Sequence, residues 1–79
     1  MPLFILFDGI KIYIYFDDHL PPHVHAMYGE YEVLIDIREL TVYRGEFPTK
    51  QLKKVLAIVK KNQTEMLALF YQYNPQTRP

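Results

Sequence analysis

All three histidines of the chain fall within seven residues, in the run Asp17-Asp18-His19-Leu20-Pro21-Pro22-His23-Val24-His25. Imidazoles and carboxylates this close together suit two kinds of chemistry: holding a divalent ion, or moving protons as general acid and base. A His-x-His pair in extended backbone projects both rings from one face, because successive side chains alternate. At a rise of about 3.3 Å per residue, His23 and His25 lie about 6 to 7 Å apart at the backbone, within reach of one shared ion or phosphate.

Three readings follow from these residues. In the first, His23 and His25 bind a divalent metal such as zinc, with His19 or one of Asp17 and Asp18 as third ligand and an open position for water. In the second, His23, His25 and His19 are catalytic groups acting on a phosphodiester, RNA above all, with Arg38, Arg44 or a lysine opposing the developing charge. Unperturbed imidazole titrates near about 6.5, so one neutral and one protonated ring can coexist near neutral pH. The third reading needs no turnover: Asp18 caps a turn, Pro21 and Pro22 stiffen the crossing, and the histidines hydrogen-bond on a polar, aromatic surface that recognises a protein partner.

The rest of the composition bounds these readings. Cysteine is absent, which excludes disulfides and thiolate metal sites. The formal net charge is +0, which argues against a generally basic nucleic-acid binder, although Lys50, Lys53, Lys54, Lys60 and Lys61 gather in one segment. At 79 residues, 49% of them hydrophobic, the chain is expected to be one small domain spanning 1–79. Leu3 to Phe7 lacks a basic leader, is too short for a signal-peptide core and reads as a strand; no stretch is long enough to cross a membrane, so a cytoplasmic location is expected.

The elements that must position the histidines are legible from periodicity. Ile10, Ile12, Ile14 and Phe16 alternate with Lys11, Tyr13, Tyr15 and Asp17, the period of a half-buried strand. The two prolines keep the histidine segment out of helical geometry, and His23 to Tyr28 continues as strand. Gly29-Glu30 turns the chain into Tyr31 to Ile37, with Val33, Ile35 and Ile37 on the apolar side, and a turn at 38–40 leads to a strand from Thr41 to about Glu46.

From Pro48 the period changes. Leu52, Val55, Leu56 and Val59 recur at helical spacing, opposite the lysines. Asn62 followed by Glu65 resembles a capping box opening a second helix with the stripe Met66, Leu69, Phe70 and Tyr73, which Pro75 stops. The expectation is an α+β domain: an antiparallel sheet of about four strands over 3–47, Leu3 to Phe7 an optional fifth, then two C-terminal helices over 49–74 on one face, and a tail over 75–79 that frays. The uncovered face then presents the histidines bordered by the candidate binding residues Tyr15, Asp17, Asp18, Asp36 and Arg38. An exposed sheet edge also allows two copies to pair.

The run from Tyr15 to Glu32, with its Asp-His-x-Pro-Pro-His-x-His core at Asp18 to His25, resembles the signature of a small bacterial family catalogued as domain of unknown function 4160. The later Ile35-Asp36-Ile37 strand, the link at Gly45 to Pro48 and the two closing helices extend that resemblance over most of the chain. It implies a two-gene arrangement similar to toxin and antitoxin pairs, in which this chain is the toxin-like member and a small cognate protein from the adjacent gene is its partner. A non-catalytic adaptor using the same face and a metal-dependent or RNA-cleaving hydrolase are the rival expectations.

Overall fold

The computed structural model describes residues 3–16 and 18–79; Asp17, one of the candidate binding residues, lies outside them. Five strands precede two helices: β1 (Leu3–Phe7), β2 (Ile10–Ile14), β3 (His23–Tyr28), β4 (Tyr31–Asp36), β5 (Thr41–Glu46), α1 (Thr49–Lys61) and α2 (Gln63–Tyr73). The strands form one antiparallel meander in the order β1-β2-β3-β4-β5. The segment read as an optional fifth strand is β1, an edge strand. It is joined to β2 by Asp8-Gly9, both at positive φ, the Asp-Gly pairing that suits a two-residue hairpin.

The helix-facing side of the sheet carries Ile10, Ile12, Ile14, Val24, Ala26, Val33, Ile35 and Ile37, all fully buried against Val55, Val59, Met66 and Phe70. Period two in the strands and the i, i+4 spacing in each helix supply the two halves of this core. Lys50, Lys53, Lys60 and Lys61 are exposed, while Lys54 pairs with Asp8 at 3.0 Å. Asn62 does not build the expected capping box. Its side-chain amide donates instead to the Ile58 carbonyl at the end of α1, so it closes the first helix and leaves the second without a side-chain cap. No helix among the described residues is long and apolar enough to cross a membrane.

Two irregularities bear on the site. β5, exposed along its length, slips register against β4: Leu34 faces Arg44 and Ile35 faces Val42, leaving Tyr43 as an extra residue. A bulge on an edge strand bends it and re-aims a side chain, and it also blunts the edge against further pairing. Beyond α2, within the segment 75–79, lies a 3-10 turn at Pro75–Thr77. It is held by two hydrogen bonds from Thr77, N–H and hydroxyl, to the Asn74 carbonyl.

Gly45 has φ +92, and a Cβ there would overlap the Glu32 carbonyl oxygen of the neighbouring strand; at Gly29, φ +57, a Cβ would meet nothing. Gly45→Ala should therefore cost about 2–4 kcal/mol and Gly29→Ala about 1 kcal/mol, read as the difference in urea midpoint between the two variants.

Candidate functional site

The site lies where β2 ends and β3 begins. Between the two strands Tyr15, Phe16 and residues 18–22 lie outside the ladder, and Ile37 N–H donates to the Pro22 carbonyl at 2.9 Å, fastening the loop to the end of β4. Sheet alternation then places His23 and His25 on one side, ring centroids 5.0 Å apart, as extended backbone requires.

The loop brings Asp18 under both rings. Its Oδ2 lies 2.9 Å from His23 Nε2 and 3.0 Å from His25 Nε2. The three ligand-type atoms lie within 4.8 Å of one another. Oδ1 meanwhile accepts the His19 backbone N–H at 3.0 Å. Burial works against charge on this carboxyl, but the hydrogen bonds from His25 and from the His19 N–H, with the neighbouring His23 and His25 charges, outweigh it and hold Asp18 below the usual carboxylate range.

The tautomers follow from what each ring nitrogen faces. A carbonyl can only accept, so His23 Nδ1, 2.7 Å from the Pro21 carbonyl, carries a proton and donates it. In a neutral ring this leaves Nε2 as a bare acceptor, buried and facing a carboxylate oxygen. Although the two atoms are 2.9 Å apart, the bond direction at Nε2 misses the oxygen, and the nitrogen has no hydrogen-bond partner. His25 has a carboxylate near each nitrogen: Asp18 at Nε2, and Glu32 Oε2 3.5 Å from Nδ1. Both neighbours are acceptors, so the ring can carry its proton at either nitrogen and still find a partner for it.

The expected open placement of both rings is corrected for His23. Its side chain is 0% exposed, whereas that of His25 is 15% exposed. His23 is the first residue of β3, at the end of the sheet, where Phe70 of α2 approaches to 5.7 Å, the bulge turns Tyr43 toward it at 5.8 Å, and His19 lies at 5.4 Å. His19 itself stands at the rim, 66% exposed, its Nδ1 on the Leu20 carbonyl and its Nε2 3.9 Å from Asp18 Oδ1. Tyr15 sets its ring edge-on to His25 at 4.5 Å and stacks on Tyr13. Burial, then the negative neighbours Tyr13, Glu32 and Asp18, push the Tyr15 phenol up.

Two candidate binding residues stand apart from this cluster. Asp36 pairs with His23 across the strands, but its Oδ1 is taken by the N–H groups of Arg38 and Glu39, which it holds in a turn. Arg38 is exposed and donates to the Tyr71 hydroxyl. Sequence reasoning missed Asn74. Fully buried at the end of α2, its side chain accepts the Asp18 N–H at 2.6 Å. The available signal was an Asn immediately before the proline that ends a helix, a polar residue where unpaired carbonyls need partners. A groove of about 460 Å³ between β5 and the start of α1, lined by Val33, Val42, Phe47 and Leu52 among others, contains none of the site residues.

Removing Asp18 strands the His19 N–H and takes the carboxylate partner from His25 Nε2, so Asp18→Ala should lower stability by about 1–3 kcal/mol. His19→Ala, at an exposed side chain, should stay within about 0.5 kcal/mol. Urea unfolding of the two variants checks the difference.

The family model for the domain of unknown function DUF4160 matches residues 9–70, a span that includes the whole loop, β3 and most of both helices. No curated protein and no solved structure matches the chain. With the Asp18, His23 and His25 cluster inside that span, the chain belongs to the DUF4160 family.

Proposed function

We propose that this chain is a divalent-metal protein of hydrolytic, toxin-like action, with the ion held by His23 Nε2, His25 Nε2 and the Asp18 carboxylate. The observation that carries the reading is His23 Nε2: buried, a bare acceptor in the neutral ring because Nδ1 carries the proton donated to Pro21, and without a hydrogen bond beside a carboxylate. An ion removes the repulsion between two acceptors that a neutral ring leaves in place. The Nδ1 partners are those that metal-binding imidazoles use, a backbone carbonyl for His23 and a carboxylate, Glu32, for His25.

The spacing also informs the kind of ion. Bonds of about 2.1 Å set neighbouring ligands about 3.0 Å apart in an octahedron and about 3.4 Å in a tetrahedron. The edges from Asp18 to the two rings are 2.9 and 3.0 Å and all three atoms lie within 4.8 Å of one another, so the spacing admits a six-coordinate ion such as manganese, iron(II) or nickel as well as zinc. Held by two imidazoles and one carboxylate, an ion would have room for water and substrate and would supply a water nucleophile near neutral pH. His19, with Nδ1 donating to Leu20 and Nε2 3.9 Å from Asp18 Oδ1, is the group placed to take the proton. RNA is the substrate class proposed, in the cytoplasm, and a small protein encoded by the adjacent gene is the proposed partner that restrains the activity. Those last points rest on the likeness to toxin and antitoxin pairs.

Tag-free protein stripped with chelator should take up one manganese, iron(II), nickel or zinc ion per chain in calorimetry, and His23→Ala and Asp18→Asn should each weaken uptake about a hundredfold. Glu32→Gln, acting only through His25, should weaken binding about tenfold. A native chain that binds none of these ions would overturn the metal reading. Expression of the native chain should slow bacterial growth, with recovery in His25→Ala at equal protein level, and labelled RNA should fragment only when metal is supplied. Metal uptake without any growth or RNA effect would leave a non-catalytic binding module.

A further inference from the structure

We infer that Asn74 is a positioning residue for Asp18, and that residues 74–77 form a latch that completes the ligand set; this rests on the metal reading above. His23 and His25 ride on a strand paired on both sides, so the sheet fixes them. Asp18 belongs to a loop without ladder partners, and its backbone is held instead from the far end of the chain. Its N–H donates to Asn74 Oδ1 at 2.6 Å, and its carbonyl accepts from Gln76 Nε2 at 3.2 Å.

The Asn74 amide fits this place in one orientation. Its Nδ2 donates to the Tyr15 carbonyl at 2.9 Å and to the Phe70 carbonyl at 3.0 Å while its Oδ1 takes the Asp18 N–H. Flipping the group would set oxygen against two carbonyls and NH2 against an N–H. One buried side chain thus ties the last turn of α2 to both ends of the segment from Tyr15 to Asp18. The 3-10 turn, fastened by Thr77 to the Asn74 carbonyl, brings Gln76 over the same loop. These residues follow the 9–70 span matched by the family model, so the family match assigns them nothing. With the latch undone, the two histidines keep their places while the carboxylate loses its own. Because coupling is reciprocal, a bound ion should in turn hold the latch closed.

The test is a double-mutant cycle on metal affinity, using manganese or nickel as probe on the full chain. Asn74→Leu, similar in size and without donors or acceptor, should weaken binding at least tenfold, and Gln76→Ala, an exposed change that leaves folding intact, by about threefold. To separate positioning from binding by the other two ligands, both are repeated with Asp18→Ala in a high-metal regime, where the latch variants should add nothing. Metal should also slow hydrogen exchange at the Asp18 amide in the native chain more than in Gln76→Ala. Native affinity in both latch variants, or equal weakening with and without Asp18, overturns the inference while leaving the metal reading intact. If the native chain binds neither ion, both fall together.

Discussion

A single carboxylate oxygen within 3.0 Å of two imidazole nitrogens is the constraint around which this small protein is arranged. The Pro21 carbonyl claims the proton of His23 at Nδ1, so the facing nitrogen cannot be a donor while the ring is neutral. A second proton or a cation must resolve the contact. A proton at that nitrogen is poorly aligned, and a second carboxylate, Glu32, stands at the outer side of His25, which favours the cation.

The fold supplies the rigidity that such a contact requires. Burying one sheet face under α1 and α2 fixes β3 and with it the direction of both rings. α2 also seals the lower end of the sheet, putting Phe70 against His23 and its own terminal residue, Asn74, against the loop that carries Asp18. A bulge in β5 brings Tyr43 to the same ring. Low exposure strengthens the electrostatic interactions among the groups so enclosed, and raises the cost of leaving any of them unpaired. The rim, formed by His25, His19 and Tyr15, keeps the centre in reach of solvent.

Much of this was legible in the chain itself. Alternation in Ile10 to Ile14, at Val24 and Ala26 and in Val33 to Ile37, and the helical stripes through Val55 and Phe70, carry enough period to place the core residues on the correct side, and the His-x-His spacing gave the shared direction of the rings; Phe16, in step with Ile10 to Ile14 but past the end of β2, is exposed instead. Alternation describes a sheet of indefinite extent, however, and has no term for its end. His23 was therefore expected in the open when it is sealed by α2. Asp36 and Arg38 were grouped with the site by face alone, whereas the first closes a turn and the second reaches a tyrosine on the second helix. Asn74 meets Asp18 across 56 positions of sequence, a contact made by tertiary packing and invisible to any local pattern. The Asp8-Gly9 hairpin that makes β1 a full strand was readable from turn chemistry.

The most direct measurement is anomalous X-ray diffraction from crystals of the native chain grown with manganese. The account predicts one strong anomalous peak at about 2.1–2.3 Å from His23 Nε2, His25 Nε2 and the Asp18 carboxylate, with His23 Nδ1 still on the Pro21 carbonyl. A chain that keeps its three groups in direct contact with no scatterer between them, at manganese concentrations that fill ordinary sites, would contradict it.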